Sequence, residues 1–186
     1  RLAISELQKA IELDPNRAEA YLKLADIYRS SGISRSKAVS SYRRAIDKGE
    51  NYLPPAEITR AHWELGEVHR REGEWRKAAM AYRAVYRRDP EFNIHLNEYL
   101  LRSIREFAEN LKNEDAGRAL SVVNEGLKVR ESVNLLFLKG EVLHTLERYD
   151  ESTEACRRAL EKNRNLEEAY YHIAQNYLAQ GELLNG

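Results

Sequence analysis

The sequence predicts an all-α chain built from repeated helical hairpins. Apolar residues such as Tyr21, Leu24, Ala25 and Tyr28 recur at steps of three and four, which is typical of one face of a helix. No alternation of apolar and polar residues of the kind found in β-strands occurs in the sequence. Small residues also recur at equivalent places in successive helical segments, which predicts that one hairpin unit is repeated along the chain.

Two segments show the first half of the unit most clearly. Tyr21 to Tyr28 and Tyr170 to Tyr177 share one pattern of large and small residues, and a glycine follows each of them. The second half of the unit combines alanines with an aromatic or apolar residue. It reads Ala38, Tyr42 and Ala45 in one copy, Ala78, Tyr82 and Val85 in the next, and Ser152, Cys156 and Ala159 in the last.

These patterns resemble the tetratricopeptide repeat, a helix–turn–helix unit of about 34 residues. The small residue at position 8 of that unit is its most specific feature, because a larger side chain there would push the paired helices apart. Position 8 is Ala25, Gly66, Ala108, Gly140 and Ala174 in successive copies. The resemblance covers nearly the whole chain and implies an α-α superhelix, or solenoid, of about ten antiparallel helices.

The resemblance implies a single array of roughly four full repeats with half a repeat at each end. Neither end shows the polar capping helix of a terminal repeat, so the chain is expected to be a fragment of a longer array. The pieces are 1–17 (a second helix only), 18–55, 56–91, 92–132, 133–165 and 166–186 (a first helix only).

Two steps of this array are longer than the others by roughly seven or eight residues. The first extra stretch is Gly49–Pro55, where a Pro-Pro pair predicts the end of one helix and the start of the next. The second is Glu91–Leu100, which contains neither glycine nor proline. Phe92, Leu96 and Leu100 keep helical spacing, so this stretch is predicted to extend the next helix toward its N-terminus by about two turns.

Composition excludes several functional classes. The chain has 30 basic and 30 acidic residues and a formal net charge of zero, which argues against a nucleic-acid partner. No apolar run approaches the ~18 residues that a membrane span requires. Phosphate-binding glycine motifs and zinc-ligand spacings are absent, so we expect no enzyme activity and no catalytic, cofactor-binding or metal-binding residue.

The cysteine and histidine residues are interpreted as packing residues. Cys156, the single cysteine, falls at a core position of its repeat and excludes an internal disulfide. That usage fits a reducing compartment, and we expect a cytoplasmic location; a periplasmic or organellar one stays open because the N-terminus is expected to be truncated. His62 and His69 also occupy packing positions, and no further ligand completes a metal set around them.

In the family that the chain resembles, the first helices line a concave groove, and positions 2, 5, 9 and 12 point into it. Here position 5 is mainly apolar or aromatic, position 9 is mainly acidic and position 12 is mainly basic. Aromatic side chains on such a surface are typical anchors for a partner. The residues expected to bind a partner are Leu22, Asp26, Arg29, Trp63, Glu67, Arg70, Arg105, Glu109, Lys112, Phe137, Glu141, His144, Tyr171 and Gln175.

The acidic residues at position 9 have two interpretations. Each acid can pair with the residue three positions later on its own helix, which contributes only ~0.2–0.5 kcal/mol. Alternatively, the acidic column orients a basic or amphipathic segment of a partner protein. A subgroup of the family grips the terminal carboxylate of heat-shock chaperones with lysine and asparagine at positions 5 and 9, and this acidic groove is expected to repel such tails.

The resemblance implies a protein-interaction scaffold or adaptor that binds a protein or peptide on the concave face. One alternative is the regulatory or substrate-recruiting region of a larger enzyme. An RNA-binding helical-repeat array is a less favoured alternative, because the charge is balanced and the groove is acidic. Self-association through uncapped terminal helices is a further hypothesis.

Overall fold

The computed structural model describes residues 2–181, which form ten α-helices and no β-strand. This confirms the predicted all-α helical-repeat fold. The chain divides into two compact units, the first ending at Tyr99 and the second beginning at Leu100. The helices are α1 (Leu2–Leu13), α2 (Ala18–Ser31), α3 (Arg35–Gly49), α4 (Pro55–Arg71), α5 (Trp75–Arg88), α6 (Leu96–Leu111), α7 (Ala116–Val129), α8 (Val133–Thr145), α9 (Tyr149–Lys162) and α10 (Glu167–Ala179).

Hairpins α2–α3 and α4–α5 build the first unit, where α1 packs on α2 and α3 packs on α4. The second helix of each hairpin places one tyrosine, Tyr42 or Tyr82, fully inside the core. Opposite Tyr82, a Cβ atom on Gly66 would lie only 2.7 Å from the tyrosine ring. Position 8 of this repeat therefore accepts only a small residue, because the partner helix places an aromatic ring against it.

The turns inside the hairpins use left-handed backbone. Gly32 and Gly73 adopt φ values of 64° and 69°, a conformation that costs glycine little. The equivalent residue of the fourth repeat is Glu147, which adopts a φ of 58°. Unlike glycine it carries a Cβ atom, so this left-handed conformation is strained. In the third repeat Asp115 has a negative φ of −150° instead, and its side chain caps α7 by accepting a hydrogen bond from the Arg118 amide.

The first inserted stretch folds as the Pro-Pro pair predicts. Helix α3 ends at Gly49, Pro54 is the N-cap of α4 and Pro55 is its first residue. Leu53 is buried in the core of the first unit, next to the backbone of Gly49. This one apolar side chain fixes the loop to the core.

The second inserted stretch departs from its prediction, because α6 begins at Leu96 and not near Glu91. Side chains take over the backbone hydrogen bonds that a longer helix would need. Asn93 Oδ1 accepts from the His95 amide at 2.8 Å, and Asp89 Oδ1 accepts from the Glu91 amide at 3.1 Å. The helix is therefore extended by less than two turns, and the preceding residues form a turn.

In the second unit α8 packs against α7 and α9, and α10 packs against α9 and α8. Close backbone approach again explains the small residues: a Cβ atom on Gly140 would lie 2.5 Å from Cys156 Sγ, and one on Gly126 would lie 2.9 Å from Ile104. The fifth position-8 residue, Ala174, is exposed. None of the helices between residues 2 and 181 combines the length and hydrophobicity of a membrane span.

Candidate functional site

Four rings of the first unit form what we call the aromatic cluster: Trp63, Tyr82, Phe92 and Tyr99. The indole of Trp63 stacks on Tyr99, with centroids 5.7 Å apart and planes inclined by 17°. It also lies 5.3 Å from the ring of Tyr82 and 5.9 Å from that of Phe92. Tyr82 is fully buried, whereas the other three rings are partly exposed and give the first unit an aromatic surface.

Two cationic or titratable groups border this surface at Tyr99. The ring of His95 lies 5.7 Å from the Tyr99 ring at an interplanar angle of 16°. The guanidinium of Arg70 lies 4.6 Å from the centroid of the same ring, within the range of a cation–π interaction. Arg70, one of the predicted groove residues, is therefore held beside the aromatic surface.

The carboxylate of Glu67 is hydrogen-bonded and ion-paired with side chains of the same unit. Arg70 donates two hydrogen bonds to it, at 3.0 and 2.8 Å, and the hydroxyl of Tyr82 donates a third at 2.5 Å. Burial alone would raise the pKa of Glu67, but the hydrogen bonds from Arg70 and Tyr82 outweigh burial and lower it. Glu67 is thus ionised at neutral pH and already has its counter-charge.

Asp26 repeats this arrangement one hairpin earlier. Tyr42 donates to its carboxylate at 2.7 Å, and Arg60 of the next hairpin pairs with it at 3.1 Å. Arg29 instead donates to the hydroxyl of Tyr42 at 3.0 Å and pairs with Glu64 at 3.2 Å. In both repeats the buried tyrosine of the second helix therefore donates to the acid of the first helix.

These contacts bear on the two interpretations of the acidic column. Glu67 pairs with Arg70 three residues later, and Glu109 pairs with Lys112 at 3.2 Å in the same way. Asp26 does not follow this rule, since its counter-charge comes from Arg60 on the next first helix. The position 9 acids thus already have basic partners within their own unit, which favours pairing inside the chain over a free acidic column.

The second unit carries a smaller group of rings. Phe137 is half-buried against the core around Cys156, and its ring lies 5.8 Å from that of His172. The ring of His144 lies 4.9 Å from His172. Beside them, Glu141 accepts a hydrogen bond from Lys112 at 3.1 Å.

His144 is held by a buried amide. Its Nδ1 lies 2.6 Å from Oδ1 of Asn176, which is fully buried and donates to Ser152 and Thr153 at 2.8 and 3.0 Å. Burial, together with the nearby His144, lowers the pKa of His172 although Gln175 opposes the shift. These contacts give His144 a packing role within the second unit.

The remaining predicted groove residues lie in different environments. Tyr171 is 67% exposed, Gln175 lies 3.2 Å from Nδ1 of His172, and Arg105 pairs with Glu106 at 2.5 Å. Leu22 is only 5% exposed, because it packs in a core cluster that includes residues of α4. Leu22 is therefore a core residue and offers no surface to a partner, contrary to the expectation that it lines a groove.

Three residues of the site were not found from the sequence. Arg60 occupies position 2 of its repeat, a groove position in the family, so the signal for it was present. Phe92 and Tyr99 lie in or beside the second inserted stretch and have no equivalent in a regular repeat. Their approach to Trp63 follows only from the tertiary structure.

Cys156 and His69, which were interpreted as packing residues, both lie in the interior of the fold. Cys156 is fully buried, as its repeat position predicts, and burial raises the pKa of its thiol to about 12. His69 is also buried; its Nδ1 lies 2.5 Å from Glu74, and burial lowers its pKa. Within residues 2–181, no group of three or more His, Cys, Asp or Glu side chains is placed to hold a metal ion.

Solved structures of the same fold provide the first comparison. MamA is 15% identical, with 88% of this chain and 82% of MamA covered and a TM-score of 0.53. YrrB, described as a TPR protein with an unusual peptide-binding site, is 20% identical over 95% of this chain and 84% of its own, with a TM-score of 0.53. The C-terminal part of a TPR repeat-containing protein from Cytophaga hutchinsonii is 15% identical over 96% of this chain and 66% of its own, with a TM-score of 0.55.

Comparison with curated proteins gave no match. Two family profiles match the sequence itself: one described as TPR repeat covers residues 2–32, and one described as tetratricopeptide repeat covers residues 35–91 and 109–170. Together they span most of the chain. The chain therefore belongs to the tetratricopeptide repeat family.

Proposed function

We propose that the first unit binds a segment of a partner protein on the exposed rings of its aromatic cluster. Members of the family are generally interaction scaffolds without enzyme activity, and the fold supports that broad role. The peptide-binding site named for YrrB, which shares the fold, is consistent with it. The observation that carries the finer proposal is the partly exposed surface of Trp63, Phe92 and Tyr99.

Rigid, partly exposed rings suit the role of a binding anchor. Trp63 is fixed by contacts with three other rings, so a partner would lose little side-chain freedom in packing against it. Tryptophan and tyrosine are also enriched among the residues that dominate binding energy at interfaces. The surface therefore fits an apolar or aromatic side chain of the partner.

The paired acids refine the chemistry of this partner. Because Glu67 and Asp26 already have counter-charges from Arg70 and Arg60, the site does not require a basic segment. A partner that separated these pairs would have to desolvate and replace them. We therefore favour an amphipathic segment, whose apolar face covers the rings while its polar face meets the ion pairs at their edge.

The proposal is tested with peptides selected from a displayed random library on the wild-type protein. We expect selected peptides to bind Trp63→Ala and Tyr99→Ala roughly tenfold more weakly, because each change removes an anchor of the kind that contributes over 1 kcal/mol. Affinity is measured by fluorescence anisotropy, and a thermal melt followed by circular dichroism shows that each variant is folded.

The matched control is Tyr52→Ala, which removes an exposed ring of the same unit outside the aromatic cluster. It is expected to change affinity by less than about twofold. Selected peptides that bind folded Trp63→Ala as tightly as the wild type would contradict the proposal, as would a library that yields no binder.

A further inference from the structure

The cations of the first unit are concentrated on its second helices. Helices α2 and α4 carry acids and bases in balance, whereas α3 has one acid, Asp47, and α5 has none. The zero net charge of the chain therefore hides a basic region. Its cations are Arg35, Lys37, Arg43, Arg44 and Lys48 on α3, and Arg76, Lys77, Arg83, Arg87 and Arg88 on α5.

Part of this basic region lines an open cavity of about 730 Å³. Helix α3 forms one wall, with Arg35, Arg43 and Arg44, and the end of α4 and start of α5 form the other, with Glu72 and Lys77. The volume is within the range of about 300–1,000 Å³ found for ligand sites. No ring of the aromatic cluster lines it.

The acids in the cavity are already paired. Glu72 pairs with Arg35, and Glu74 pairs with Lys77 and contacts the buried His69. Burial keeps His69 uncharged at neutral pH by lowering its pKa. The two other arginines that line this cavity therefore have no carboxylate partner.

Arg43 and Arg44 are those two arginines. Arg43 has no hydrogen bond or ion pair with any residue in the described range 2–181, and its side chain is exposed. The guanidinium of Arg44 lies 5.7 Å from the ring of Tyr21, a contact that leaves its hydrogen-bond donors free for a carboxylate. Adjacent free guanidinium groups at the wall of a cavity are suited to binding carboxylates.

A second cavity, of about 440 Å³, lies on the other side of α3 and shares Ser40 and Arg44 with the first. Lys37, Tyr21 and the exposed acid Glu12 also line it. The two cavities thus adjoin along α3 and form an elongated site. An elongated site fits a stretch of polypeptide better than a single small anion.

We propose that α3 is a second docking site, which takes an acidic segment of a protein whose carboxylates are held by Arg43 and Arg44. Of the four cations that line the first cavity, Arg35 and Lys77 are already paired, so two guanidinium groups remain. Two free cations suit a few discrete carboxylates better than a continuous phosphate backbone, which needs many. No residue of this site belongs to the aromatic cluster. The two proposals therefore succeed or fail independently.

The test uses a fluorescent peptide of alternating glutamate and alanine, with its glutamine counterpart as the uncharged control. We expect the wild-type protein to bind the glutamate peptide in a salt-sensitive manner and to ignore the glutamine peptide. The double variant Arg43→Gln/Arg44→Gln is expected to weaken binding roughly tenfold. Both side chains are exposed, so the variant should fold normally.

The matched control is Arg76→Gln/Arg87→Gln, which removes two exposed cations of α5 that do not line either cavity. Equal losses in the two double variants would overturn the proposal in favour of a general attraction to basic surface. No binding of the glutamate peptide by the wild type would also overturn it. Trp63→Ala should bind the glutamate peptide as the wild type does; an equal loss there would refute a separate site.

Two further arms distinguish other polyanions. Single-stranded poly(U) RNA and vesicles containing phosphatidylserine are titrated against the wild-type protein and the Arg43→Gln/Arg44→Gln variant. Tighter, arginine-dependent binding of either probe than of the glutamate peptide would replace the acidic segment with RNA or a membrane surface. Weak binding of both supports the proposal.

Discussion

At the scale of single residues, Tyr42 and Tyr82 connect the core of the first unit to its surface. Each ring is fully buried, and each hydroxyl donates to an acid of the first helix of its hairpin. Burial and the neighbouring carboxylate raise the pKa of both hydroxyls, so each remains a proton donor at any physiological pH. One side chain thus fills the space opposite the small residue and also orients the acid.

Tyr82→Phe tests the second of these roles. The ring is kept while the hydrogen bond to the Glu67 carboxylate is lost, so we expect the free energy of unfolding to fall by about 1–3 kcal/mol. Urea denaturation followed by circular dichroism measures the change. Tyr52→Phe, at an exposed tyrosine, is expected to change it by less than about 0.5 kcal/mol, and equal effects would refute the role of the hydroxyl.

The lowered pKa of Glu67 predicts a dependence of stability on pH. Because the folded pKa lies below the unfolded value of about 4.3, the stabilisation is fully present above pH ~4.3 and is lost as pH falls through the folded pKa. The urea midpoint of the wild type should therefore fall more steeply below about pH 4.3 than that of Glu67→Gln. Parallel curves would contradict the assignment. Glu161→Gln, at an exposed glutamate, serves as the control and should follow the wild type.

At the scale of elements, the turns between helices differ in backbone strain. Glu147 adopts the left-handed conformation that glycine adopts at Gly32 and Gly73. Glu147→Gly relieves that strain, although glycine also increases the entropy of the unfolded chain. We expect a net gain of about 0.5–1 kcal/mol in the free energy of unfolding.

The reverse change, Gly32→Ala, provides the matched comparison. A Cβ atom there would meet nothing within 4 Å, so only the backbone conformation is affected. We expect a loss of about 1 kcal/mol in the free energy of unfolding, measured in the same urea denaturation. A loss of stability in Glu147→Gly would show that the glutamate side chain contributes more than its strained backbone costs.

The start of α6 shows where prediction from spacing reaches its limit. Phe92, Leu96 and Leu100 are spaced as on a helix, yet only the last two belong to one. Asp89 and Asn93 offer side-chain acceptors to nearby amides, and this local competition ends the helix regardless of the apolar pattern. The Pro-Pro pair at the other insertion acts through the backbone itself, and its effect was predictable.

At the scale of the whole molecule, the repeat was predictable because the same restriction to a small residue recurs where the paired helices approach each other. Gly66 and Gly140 each face a side chain of the partner helix at a distance that excludes a Cβ atom. The candidate site was predictable only in part, since Trp63 and Glu67 follow from repeat position. Phe92 and Tyr99 were not, because they belong to an insertion and reach Trp63 only through the tertiary fold.

The pairing of charges also depends on the tertiary fold. The sequence places an acid and a base three residues apart at positions 9 and 12 of α2, α4 and α6, and Glu67 with Arg70 follows that spacing. Asp26 finds its partner, Arg60, on the next first helix instead. The sequence therefore located the charged column, whereas the structure determined which of its charges are already compensated.

The central proposal is that a protein segment binds on the aromatic cluster, and the fluorescence of Trp63 tests it most directly. The chain has two tryptophans, so Trp75→Phe leaves Trp63 as the single reporter and Trp63→Phe leaves only Trp75. Titration with a selected peptide should give a saturable shift of emission in Trp75→Phe, because binding removes water from the partly exposed indole. Little change is expected in Trp63→Phe. A saturable shift confined to Trp75, or saturable binding with no change at Trp63, would contradict the proposal.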